Sequence, residues 1–161
     1  MDSFTKEDEE IKPPSSLANK TTWFFAHSAL AVGSWLALMM LGQVFNPPGI
    51  PQLAILLISF LIPMIVGFAI NSARQDGMAT VVWLVGLIWM LIISLYVLDM
   101  PTGPGQCLHC DATEKLSRTL FSLPKPSGLI DDDGPFLGTW PAAALFGYSL
   151  GARIALRKRS N

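Results

Sequence analysis

This chain is short of charge and short of cysteine, and each shortage narrows what it can be. Only 14% of its 161 residues are charged while 51% are hydrophobic, against roughly 25% charged residues in an ordinary soluble domain. So little charge cannot cover a water-facing surface. With a net charge of -1 and its basic residues scattered or gathered at the C-terminal end, the chain lacks the concentrated basic patch that phosphate binding requires. A nucleic-acid interface is excluded. The long apolar runs contain no Asp, Glu or Lys, the groups through which ion-coupled transporters and proton pumps work inside a bilayer. Two cysteines make one pair at most. The first twenty residues have neither a basic n-region nor an apolar h-region, so no cleaved signal is visible in them.

What is present in quantity is apolar sequence. Four stretches, at about 22–45, 52–70, 78–98 and 136–156, are each long enough to cross a hydrocarbon core of about 30 Å. The sequence therefore predicts an all-α integral membrane protein, a bundle of four transmembrane helices occupying 21–157. A mobile acidic tail over 1–20 precedes it and a short basic tail over 158–161 follows. Trp23, Phe24 and Phe25 stand where an aromatic belt would lie. Asn46-Pro47-Pro48-Gly49 breaks the first helix tightly enough to make the first two spans antiparallel neighbours. Pro63, inside the second span, removes one ladder hydrogen bond and predicts a packing kink. The third span has no polar stripe and is expected to face lipid over much of its surface.

The fourth span differs, because small residues recur along it. Ala143, Gly147 and Gly151 include a GxxxG pair, and Ala29, Gly33 and Ala37 form a similar row at spacing four in the first span. Such rows let helix backbones approach closely. They are expected to make the bundle's internal contact or to meet another subunit.

With four spans both termini share one side, and the basic residues decide which. Lys6, Lys12, Lys20, Arg74, Arg153, Arg157, Lys158 and Arg159 fall on the side of the termini, against Lys115, Arg118 and Lys125 on the other. Eight against three places both termini in the cytoplasm and the loop 99–135 outside a cell (inner) membrane. Arg153, inside the end of the fourth span, is close enough to the interface to snorkel.

That loop holds Cys107-Leu-His-Cys110. Outside the cytoplasm a lone pair at this spacing favours a disulfide, with a redox-active pair and a metal site as alternatives. Asp111, with Glu114 three residues on, forms a capping box for a short amphipathic helix over 111–123, whose apolar face would be Leu116, Leu120, Phe121 and Leu123. A cysteine pair just before a helix N-terminus favours a thiolate. Four spans with an external Cys-x-x-Cys resemble, in those two respects, the quinone-linked disulfide oxidases and vitamin K epoxide reductases. That resemblance implies a thiol oxidoreductase using Cys107 and Cys110, but those families carry a second pair that is absent here. Covalent haem would require a histidine directly after the second cysteine, where Asp111 stands. Asp131-Asp132-Asp133-Gly134 lacks the spaced carboxylates of a calcium loop. No metal site is expected.

His27 is the polar residue that stands out inside a span. An interfacial imidazole can bond a neighbouring hydroxyl or carbonyl, or ligate a haem or chlorin, and it is the weak candidate for cofactor binding in a chain whose cofactor is otherwise unspecified. With no catalytic constellation, the expected function is an accessory subunit of a larger membrane complex, energy-converting or transporting, whose partners are the bilayer and other membrane subunits. The alternatives are the thiol oxidoreductase and a small transporter component with its path beside Pro63.

Overall fold

The computed structural model of the chain describes residues 16–45, 52–101, 110–121 and 139–160. Among them all regular structure is helical: α1 (Ser16–Phe45), α2 (Gln52–Ala73), a 3-10 turn (Gly77–Val81), α3 (Trp83–Asp99), α4 (Ala112–Phe121) and α5 (Thr139–Ser160). The segment 1–15, Pro47 and Pro48, Cys107, His109 and the Asp131–Asp133 run lie outside the described residues.

Two helices are long and apolar enough to cross a membrane, Ala54–Ala73 and Gly77–Asp99, and only 22% of each window is buried inside the molecule. The low burial sets them apart from the core helix of a soluble protein. A soluble core helix would be mostly covered, whereas here Leu57, Leu61 and Ile65 of α2 and Leu87, Ile88, Leu91, Ile92 and Leu95 of α3 are exposed. An exposed apolar surface of that extent marks contact with a membrane or with another protein.

The helix ends depart from the sequence boundaries for local reasons. α1 begins at Ser16, inside the segment expected to be mobile, because a helix already nucleated in the apolar run adds a hydrogen bond for each further residue it fixes. α5 runs on to Ser160, since cations such as Arg157 and Lys158 are favourable at the negative end of a helix dipole. α3 is preceded by a 3-10 turn whose N-cap is Asp76, its carboxylate accepting from the Met78 N–H at 2.9 Å. Asp111 caps α4 as expected, its Oδ1 accepting from Glu114 N–H at 2.7 Å. The second half of the capping box is not made. The Glu114 side chain instead accepts from Arg118, one turn on.

α5 is the central helix. Pro141, Ala142, Ala144, Leu145, Tyr148, Ser149 and Ala152 are all buried, and α5 packs on α1, α2, α3 and the 3-10 turn. Its closest partner is α2. A Cβ built on Gly147 would fall onto the Phe60 carbonyl, one on Gly151 onto the Met64 carbonyl, and one on Gly67 of α2 onto the Tyr148 carbonyl. The two backbones are therefore in contact through three glycines, two on one helix and one on the other. Among the described side chains of α2 the buried ones are Ser59, Pro63, Gly67 and Asn71, one every four positions, which is the row that meets α5. α2 runs unbroken through Pro63.

The small row of the first span does not join this contact. Ala29, Gly33 and Ala37 are exposed, and nothing lies within 4 Å of a Cβ built on Gly33. α1 packs inward through the opposite face, where His27, Ala31 and Trp35 are buried. Of the two rows, that on α5 makes a contact within the bundle, with α2 as its partner, while that on α1 is exposed.

Candidate functional site

Several buried polar groups converge at the end of the bundle where α2 turns into α3. His27, one face of α1, meets Tyr148 of α5: its Nδ1 is 2.7 Å from the Tyr148 hydroxyl oxygen. On the ring's other side Nε2 stands 3.5 Å from Asp76 Oδ2, close enough for charge attraction and too long for a formed hydrogen bond. The arrangement that serves all three groups places the imidazole proton on Nε2, toward the carboxylate, and has the Tyr148 O–H donate to Nδ1. His27 is 2% exposed and Tyr148 0%.

Asn71, at the end of α2, completes the cluster. Its amide Nδ2 donates to the Ala152 carbonyl at 2.9 Å, and its Oδ1 accepts from the Asp76 N–H at 2.8 Å. Asn71 thus fixes the turn that presents Asp76, and Asp76 in turn starts the next helix. Arg74 lies over the Trp23 ring, 3.8 Å from guanidinium carbon to centroid, a cation–π contact that covers the cluster from the α1 side. Nearby, Ser149 accepts from the Trp83 N–H at 2.8 Å, joining α5 to the first turn of α3. Every one of these bonds links different segments.

Tyr148 occupies the Nδ1 side of the imidazole, while Nε2, buried 3.5 Å from Asp76 Oδ2, makes no hydrogen bond. Among the described residues no group of three or more His, Cys, Asp or Glu stands close enough together to hold a metal ion. Sequence reasoning singled out His27 but not Asn71, Asp76 or Tyr148. Their signal was available: Asn71 and Asp76 are polar residues just past the end of one apolar run, and Tyr148 is one within another.

A second junction lies at the opposite end. Lys115 of α4 is 7% exposed and its Nζ donates to the Met100 carbonyl at 2.5 Å, which places a cation on the C-terminal end of α3. Met100 packs with Ile93, Val97 and Cys110. The face that α4 buries is therefore Lys115 and Thr119, with Leu116 and Leu120 only half-buried beside it. The Phe121 side chain and Leu123, the rest of the expected apolar face, lie outside the described residues. Cys110 is buried against the end of α3, and no described cysteine is free. Cys107 lies outside the described residues, as do the remaining loop positions.

Comparison with protein families, with curated proteins and with solved structures finds no match to this chain.

Proposed function

We propose that this chain is a four-span membrane subunit, both termini cytoplasmic, that packs into a larger membrane protein assembly through α1. The observation that carries the reading is the open row Ala29, Gly33 and Ala37. It is exposed along one face of α1, and a Cβ on Gly33 would meet nothing within 4 Å. In a bilayer, where lipid and leucine are equally apolar, small residues at spacing four favour helix association because backbones can approach. The equivalent row on α5 is already occupied by α2, so the small-residue face still open is that of α1. An apolar external surface on α2 and α3 is consistent with lipid or further subunits around the rest of the bundle.

In this reading the external loop is a structural element, with a Cys107–Cys110 bond beside the junction of α3 and α4. The buried position of Cys110 supports that use over an attacking thiol, which needs access.

Native electrophoresis of tagged chain from gently solubilised membranes tests the proposal. The wild type is expected in one discrete assembly well above its own 17.5 kDa, and Gly33→Leu should release it while its own thermal unfolding stays unchanged. A wild type that runs alone would overturn the reading. Orientation is checked separately, in a background with both natural cysteines changed to serine. An impermeant thiol reagent applied to intact cells should label Ser127→Cys and spare Ser3→Cys, and the reverse pattern would invert the topology.

A further inference from the structure

The surface between α3 and α5 has a feature that neither the internal cluster nor the α1 row uses. A groove of about 360 Å³, walled by Phe60, Trp83, Phe146 and Leu150, ends at Arg153. A second hollow of about 600 Å³ shares Thr80, Leu150 and Arg153 with it and continues to Arg157. Arg153 and Arg157 are both exposed, one helical turn apart, and no ion pair to either is formed among the described residues. Like charges at this spacing repel on a bare helix. An anion between them removes the repulsion and takes several guanidinium donors.

From Arg153 to Phe146 the helix descends about 10 Å toward the middle of the bundle at 1.5 Å per residue. The groove is therefore charged at one end and apolar along its length. The available hydroxyls add little: Ser149 is taken by the Trp83 N–H and Thr80 donates to the Gly77 carbonyl. We propose that this groove binds an anionic phospholipid of the cytoplasmic leaflet, its phosphate between Arg153 and Arg157 and one acyl chain along Leu150, Phe146 and Trp83. The site rests on α5 being a span whose C-terminal end lies at the cytoplasmic interface, and is independent of any partner on α1.

The test uses the full chain, purified in an uncharged detergent and stripped of lipid, and titrated with phosphatidylglycerol, with phosphatidylcholine of the same chains, with glycerophosphoglycerol and with inorganic phosphate. Binding is read by native mass spectrometry and by the shift in unfolding temperature. Phosphatidylglycerol is expected to bind and stabilise, while the chainless headgroup, inorganic phosphate and the zwitterionic lipid should not. Arg153→Gln together with Arg157→Gln should weaken phosphatidylglycerol roughly thirtyfold, the contribution of two cations near an anionic lipid surface. The Arg153→Lys, Arg157→Lys variant should stay within a few-fold of wild type. Equal affinity in the double Gln variant, or equal stabilisation by inorganic phosphate, would overturn the proposal. Carbonate washing of membranes reads the span assumption by itself: recovery of the chain in the aqueous fraction would remove that premise, whatever the lipid titration shows.

Discussion

His27 and Tyr148 lie 121 residues apart in the chain and share a hydrogen bond of 2.7 Å in the interior of the bundle. That bond, with Asp76 on the far side of the imidazole, couples the first helix, the α2–α3 turn and the last helix. Tyr148→Phe should leave His27 Nδ1 buried without its donor and cost about 1–3 kcal/mol. His27→Ala should cost at least as much, since it also opens a space beside Trp23. In a double-mutant cycle read by thermal unfolding in detergent, the two changes should be clearly non-additive. Strict additivity would mean that the bond contributes nothing.

Gly147 and Gly151 rest on carbonyl groups of α2, which cannot swing aside as side chains do. Gly151→Leu and Gly147→Leu should each destabilise by about 3 kcal/mol or more, at the upper end of overpacking costs. Helical content would survive while the α2–α5 pairing is lost. Spin labels placed on the exposed sides of the two helices would report the separation.

Lys115 holds α4 on the end of α3. Lys115→Met keeps the stem and removes the charge, so hydrogen exchange in α4 should accelerate by tenfold or more as the Met100 carbonyl loses its donor, about 1.5–3 kcal/mol for a charged hydrogen bond. Arg118→Ala should do much less, because its pair with Glu114 is exposed and one turn apart on the same helix. Equal effects would place the attachment elsewhere.

Ser59 is buried at the α2–α5 contact and its hydroxyl finds no hydrogen-bond partner. Pro63, four residues on, also denies the Ser59 carbonyl its usual helical donor. Ser59→Ala removes an unsatisfied polar atom and should be neutral or stabilising by up to about 1 kcal/mol. A loss of stability in thermal unfolding would show that the hydroxyl has a partner after all.

With the proposed Cys107–Cys110 bond, changing both to serine should lower stability only modestly, since so short a ring would release little loop entropy. Assembly on native electrophoresis should persist. Trapping of a mixed disulfide in a single Cys→Ser variant would mark a redox pair instead.

Composition alone was sufficient for the all-helical character, the apolar α2 and α3 segments and the Asp111 cap, because each follows from local chemistry: run length, charge scarcity, and a side chain beside its own helix start. Tertiary structure alone decided how the helices meet. α1, α2 and α3 are apolar on nearly every face, so polarity gives no direction for packing, and a row of small residues says that a backbone can approach without saying whose. Thus the α5 row met the Ser59, Pro63, Gly67 and Asn71 row of α2, and the matching row on α1 was left outside. The same holds for the polar groups. That His27 sits in an apolar run is visible in the residues, but its partners Tyr148 and Asp76 come from segments far along the chain, brought together only when the helices pack.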